Sequence, residues 1–408
     1  MKRTNDTAFG SRRSAFIPFR QTVADDIPGL PAVPVIPMPV MHQAVQPGTP
    51  SVNRSRADSQ TAVIGPQNLP VVVARPASSV ADKSEVDAFR KTLHRAIRAG
   101  DHDTVESLLQ HEAADEIAMA IDQGGKNALC CAIECQNLQS VRRLLRLASA
   151  SEQAMRRTAN GDYPLMHAAR RGMISVVQLL LGLSSAREQL AQYNELGLCP
   201  PLVAACLGEP EVLNLMVETD AKTLFAKMKG GFNPLHLAAG LGRLPVVDYL
   251  ISSPHGAALA EAKTENGANA LHVAAVTGHL SVVDYLIRSP HGAALVEEKS
   301  PERFNALHSA ANTGHLPVVD YLMRSPYGAA LAEATTQQSC NALHLSAGKG
   351  HLNVVQYLLK SPRAADLAKQ QVKDGRDALQ IASSYGHHEV VRVLKASGLF
   401  ETSSANKE

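Results

Sequence analysis

The sequence predicts an all-α solenoid of about nine helix–loop–helix repeats behind a disordered N-terminal arm. Three observations predict it. First, a leucine recurs every 36 residues, at Leu235, Leu271, Leu307, Leu343 and Leu379. Upstream, Leu93, Leu129, Leu165 and Leu202 continue the series with steps of 36, 36 and 37, then 33 to Leu235. A fixed period of this length marks stacked repeats, here filling about residues 85–400. Second, the five C-terminal leucines have matching flanks, an Asn (Asp377 in the last) two residues before and a Gly seven residues after. Third, apolar residues make up 45% of the 408-residue chain, yet aromatics are only 4% and there is no Trp. A core of Ala, Leu and Val suits thin, closely stacked helices.

Residues 1–82 form the first element, the arm. They hold 11 of the 23 prolines and no Glu, and no helical period survives in them. Pro28, Pro31, Pro34 and Pro37 recur every third residue and would line one edge of a polyproline II helix. Asp25 and Asp26 beside this run favour a stiff spacer over an SH3-type ligand, which wants a basic flank. No apolar run near the N-terminus suggests a secretory signal. Ser11-Arg12-Arg13 lacks the apolar stretch of a twin-arginine signal, and Asn5, Asp6, Gly10 and Pro18 interrupt any amphipathic presequence. No stretch of 18 apolar residues predicts a membrane span. A short disordered tail over 401–408 is expected after the repeats.

The first helix of a repeat follows from the residues around Leu271. Asn269 is an N-cap, because its side-chain oxygen can accept from the exposed N–H groups of the first turn. Asn127, Asn233, Asn305, Asn341 and Asp377 recur there. Pro or Ala comes next, as suits a first helical residue. Leu271, Ala274 and Ala275 then share one apolar face, and the alanines let a neighbouring helix approach closely. Gly278 ends the helix in a left-handed conformation, matched by Gly172, Gly242, Gly314, Gly350 and Gly386. In the second helix Val282, Val283, Leu286 and Ile287 point inward and Asp284 should face solvent. Ser289-Pro290 then breaks the helix. Ser is placed to cap, and Pro to start, a further short turn holding Leu295; Ser253-Pro254, Ser325-Pro326 and Ser361-Pro362 repeat this.

The pattern Gly-x-Asn-Ala/Pro-Leu-His-x-Ala-Ala-x-x-Gly-His-x-x-Val-Val-x-Tyr-Leu resembles the ankyrin repeat. The resemblance covers about three quarters of the chain. It is specific in the five C-terminal repeats and degenerate in the first four. The period departs from the usual 33 by three residues, carried in the Ser-Pro connector, and the usual Thr is mostly Asn. The resemblance implies a right-handed, slightly curved stack whose finger loops and inner helices form a concave, protein-binding groove. It also implies that His236, His272, His308 and His344 hydrogen-bond the loop backbone.

These four histidines do not suggest a metal ladder. Packed helices lie ~8–10 Å apart, whereas zinc needs nitrogens at ~2 Å. His279, His315, His351 and His387 invite the same structural reading. The six cysteines are irregularly spaced, so they are read as reduced, and Cys131 and Cys135 as buried small apolar residues. Tyr249, Tyr285, Tyr321 and Tyr357 are expected to be half-buried packing residues. No nucleophile elbow, P-loop, zinc-protease helix or kinase set occurs in a suitable context, so no catalysis and no cofactor are expected. The formal net charge of +2 gives no argument for nucleic acid.

The expected function is a monomeric protein-interaction scaffold. Surface positions left free by packing would set its specificity. They are Gly240 and Leu241, Val276 and Thr277, Asn312 and Thr313, Gly348 and Lys349, and Ser384 and Tyr385. The finger tips add Thr264, Glu265, Arg303, Gln337 and Gln338. Arg outnumbers Lys and Ala is abundant, as in a high-GC bacterial protein. With the Glu-free arm, this resembles effectors that bacteria inject into host cells by type III secretion. An adaptor or inhibitor in the cytoplasm of the producing cell is the alternative.

Overall fold

The computed structural model describes residues 83–400. The expectations for the arm, including the Pro28–Pro37 run, and for the tail lie outside these residues. Every described element is helical. First helices run Lys83–Ala99, Ala128–Glu134, Pro164–Arg170, Pro200–Leu207, Pro234–Gly240, Ala270–Thr277, Ala306–Thr313, Ala342–Gly348 and Ala378–Ser384. Second helices run His102–Leu109, Leu138–Leu144, Ile174–Leu181, Pro210–Thr219, Leu244–Ser252, Leu280–Arg288, Leu316–Arg324, Leu352–Lys360 and His388–Ala396. First helices pack on first helices and second on second, repeat after repeat, which makes two layers. The connector is itself helical, as in Gly256–Glu261, Gly292–Glu297 and Gly328–Glu333.

Between the layers lies one continuous core that runs from Leu93 to Phe400. Leu235, Leu271, Leu307 and Leu343 each sit in it with 0% exposure. Leu379 is only partly buried, because no further repeat covers it. Val282, Val283, Leu286 and Ile287 are buried as the pattern predicts. Burying such a side chain contributes about 1.5–3 kcal/mol, and a lone repeat has no second neighbour to supply that burial.

Four expectations need correction. The N-cap of the fourth first helix is Cys199, so buried Pro201, not Leu202, fills the leucine slot. The steps are then 36, 36, 36 and 34. The two missing residues come out of the connector, which tightens to the 3₁₀ helix Ala221–Phe225. Second, Ser289 does not cap the connector helix. Its hydroxyl donates back to the Leu286 carbonyl at 2.7 Å and closes the second helix instead. Third, Asp284 is not simply solvated, since it accepts from Tyr321 Oη at 2.5 Å. Fourth, Cys135 is exposed, while the other five cysteines are buried.

Candidate functional site

The first helices are tied down by a polar lattice that starts at the caps. Asn269 Oδ1 accepts from the His272 N–H at 3.1 Å, and its Nδ2 donates to the Leu295 carbonyl of the connector helix at 2.8 Å. Asn305 reaches Leu331 and Asn341 reaches Leu367 in the same way, at 3.0 and 2.8 Å. An amide is needed for this double role, because Asp and Thr have no NH₂ to reach a carbonyl. Asn in place of Thr is therefore matched to the helical connector.

The histidines after Leu235, Leu271, Leu307 and Leu343 are buried, and two of them reach backbone carbonyls further along the chain. His272 Nε2 bonds the Phe304 carbonyl at 3.0 Å, and His308 Nε2 the Ala334 carbonyl at 3.0 Å. Burial lowers the pKa of His236, His272 and His344 to about 4, and of His308 to about 3. These rings are neutral near pH 7. Among the described residues no three His, Cys, Asp or Glu side chains come together to hold a metal ion.

The second histidine set joins adjacent repeats. His279, His315, His351 and His387 bond the carbonyls of Gly240, Val276, Asn312 and Gly348 at 3.0, 2.9, 3.0 and 3.1 Å. Each ring lies against the helix-ending glycine of the preceding repeat. A Cβ on Gly314, which has φ +81°, would stand 2.6 Å from His351 Nδ1. That glycine thus serves a left-handed turn and a close approach together. At the preceding junction Arg243 replaces the histidine, and its Nε donates to the Cys206 carbonyl at 2.8 Å. In the last repeat His387 is held on the Gly348 carbonyl, while His388, Glu389, Arg392 and Lys395 form an exposed polar outer face.

The fingers are short backbone-closed loops. Thr264 and Ala268 close one at 2.9 Å, and Glu265 N–H then donates to the Gly230 carbonyl of the neighbouring finger at 2.9 Å. Gln337 and Lys373 donate likewise to Glu302 and Gln338. Pro301 stands at the equivalent donor position and has no N–H, so the row is interrupted between the repeats of Leu271 and Leu307.

On this lattice the sequence-predicted contact positions separate. Glu265, Arg303, Gln337, Gln338, Lys349 and Tyr385 are exposed, Tyr385 by 42%. Leu241, Asn312, Thr313 and Gly348 are half-buried. Val276, Thr277 and Gly240 are buried, and so is Thr264, whose hydroxyl accepts from the Ala268 N–H at 3.1 Å. They cannot contact a partner without local rearrangement. The Thr277 hydroxyl bonds its own helix at the Val273 carbonyl, a local bond that sequence spacing does not reveal.

The degenerate N-terminal repeats carry a feature the pattern reading missed. Five residues after the leucine stand Arg98, Glu134 and Arg170 instead of small residues. They pair with the finger bases. Lys126 Nζ meets Glu134 at 2.8 Å, Arg170 meets Asp162 at 2.8 Å, and Arg98 lies 3.6 Å from Asp122. Asn194 Nδ2 donates to Asp162 at 2.7 Å and links the next finger. Burial lowers the His94 pKa to about 4 against the opposing pull of Asp122. Charges at a 36-residue spacing were the available signal.

Elsewhere, burial pushes the thiols of Cys130, Cys131 and Cys206 up to about 12, which suits packing rather than nucleophilic chemistry. No helix of the described residues is long and apolar enough to cross a membrane. A family model described as ankyrin repeats (3 copies) matches residues 78–156, 165–259, 202–295, 255–332 and 307–403. No curated protein matches the chain.

Proposed function

The chain belongs to the ankyrin-repeat family, and on that premise we propose that it is a non-catalytic scaffold holding a partner protein on its finger and inner-helix face. One observation carries the reading. Exposed side chains of changing chemistry, from Glu265 and Arg303 to Lys349 and Tyr385, project from a backbone already fixed by hydrogen bonds. Binding on such a surface loses little conformational entropy. Tyr and Arg are the residue types that anchor protein interfaces. Leu241, Asn312 and Thr313 sit partly exposed between them and complete the surface.

The test captures interacting proteins with the full chain and compares three variants of unchanged melting temperature. Arg303→Glu with Lys349→Glu, and separately Tyr385→Ala, weaken capture of a given partner by at least about tenfold. Arg392→Glu, on the terminal cap, leaves capture unchanged. Equal capture by all of them would sink the assignment of this face.

Delivery into a host cell by a bacterial type III system is the finer part of the reading. It is supported by the Arg-over-Lys and Ala-rich composition and by the Glu-free arm. A reporter fused to residues 1–80 should reach the host cytoplasm only when the secretion system is intact. Retention of the reporter in the producing cell selects the adaptor or inhibitor role there.

A further inference from the structure

The outer face carries a second regular array, unrelated to the fingers. Tyr249 Oη donates to Asn214 at 2.9 Å, Tyr285 to Asp248 at 2.6 Å, and Tyr321 to Asp284 at 2.5 Å. Tyr357 has Asp320 as its partner. Each tyrosine is thus clamped to the second helix of the repeat before it, with part of the ring exposed. Four half-exposed aromatic rings stand in a row, one per layer, ~8–10 Å apart.

A ramp of charge runs beside the row. One turn after the four tyrosines stand Ser252, Arg288, Arg324 and Lys360, and one turn after Asn214 stands Glu218, all exposed. Arg288 and Arg324 are 74% and 75% exposed, each held by Nε on an Asp one turn back. The ridge is acidic at Glu218 and basic at Lys360. Between its central rungs Pro317, Tyr321, Pro326 and Tyr327 help to line an open groove.

The arm contains a segment of matching period. Pro28, Pro31, Pro34 and Pro37 recur every three residues, which in a polyproline II helix is ~9.3 Å. That rise equals the layer spacing within its range. Proline-rich segments dock on rows of aromatic rings in this way because the extended helix loses little entropy on binding. Asp25 and Asp26 stand at one end of the run only. Charge complementarity would set that end beside Arg324 and Lys360, and Pro37 would then fall over Tyr249, on the side where the array begins. The 45 residues between Pro37 and Lys83 reach up to ~150 Å, against roughly 50 Å for the five or so intervening layers. Direction, length and period agree.

We propose that residues 25–37 of the chain's own arm dock along the outer ridge of Tyr249, Tyr285, Tyr321 and Tyr357, with Asp25 and Asp26 at the Lys360 end. The docked arm leaves the finger face open, so this contact is independent of partner capture.

The full chain tests it. Since the protein has no Trp, Val33→Trp places a single indole within the proline run. Its acrylamide quenching is several-fold weaker than in a synthetic peptide of residues 23–38 with the same substitution. Asp25→Lys with Asp26→Lys raises quenching to the peptide's level, and adding Arg324→Glu with Lys360→Glu restores the shielding. Quenching in the full chain equal to the peptide's overturns the proposal, as does charge reversal without recovery. Shielding that grows with protein concentration overturns it too, because the arm would then lie on another copy.

Discussion

The five C-terminal repeats and the four N-terminal ones solve the same packing problem with different chemistry. From Leu235 onward, each junction is closed by a histidine ring that bonds a carbonyl over a glycine. In the N-terminal repeats the same slot holds Asn137, Met173 and Glu209. Asn137 still reaches the Ile97 carbonyl at 3.2 Å, but Gly172 has only the Glu209 carboxylate near it, 3.8 Å from where a Cβ would stand. Those repeats instead carry charge on the inner face: Lys126–Glu134 and Arg170–Asp162 tie a finger to its own first helix, while Arg98–Asp122 and Asn194–Asp162 cross to the neighbouring repeat. Stapling through a histidine leaves the inner face free to be small and neutral. Bridging through ions commits that face to charge. The regular half is therefore the more open surface, and the irregular half is already engaged with itself.

The largest effect is expected at the glycines. Gly314→Val puts a branched residue at φ +81° with a Cβ 2.6 Å from His351 Nδ1. It should cost about 3–5 kcal/mol in urea unfolding, combining backbone strain with overpacking. Gly386→Val has φ +74° and nothing within 4 Å of its Cβ, so about 1–2 kcal/mol is expected from the backbone alone. Equal losses at both would show that the histidine approach does not matter. An unchanged melting curve for Gly314→Val would remove the left-handed assignment altogether.

Acid should separate the halves next. His236, His272, His308 and His344 have pKa values lowered by burial to about 3–4, below the usual 6.5. The unfolded chain binds protons first, so this stability is complete above pH 6.5 and is lost as pH falls towards 4. Hydrogen exchange at pH 4.5 should open the C-terminal repeats before the N-terminal ones. There two such rings, His94, also lowered to about 4, and His167, lowered by burial against Asp162 and Glu134, take up protons where the C-terminal repeats have four. Simultaneous opening would contradict the contrast.

Smaller effects refine it. His315→Ala deletes the bond to the Val276 carbonyl and should cost about 1–2 kcal/mol. Glu209→Ala in the matching slot should stay within about 0.5 kcal/mol. Lys126→Ala removes a partly exposed ion pair to Glu134 and should cost under about 1 kcal/mol, fading with added salt.

The repeat was legible in the sequence because its determinants are local. A cap, a small apolar face and a left-handed glycine each act within one turn of helix, so their spacing survives in the chain as a period. Leu271 and Asn269 could be placed from that period alone. Three matters were settled only by the stack. Pro201 took the leucine slot from Leu202, because the helix ends at left-handed Gly208, seven residues on, under Arg243 of the next repeat. Val276 and Thr277 left the candidate surface, because the His315 ring of the next repeat lies on that helix end. Asp284 became the acceptor of a tyrosine 37 positions away. Each depends on what a neighbouring layer places against a residue, and that partner lies about one full period along the chain, beyond the reach of any local rule.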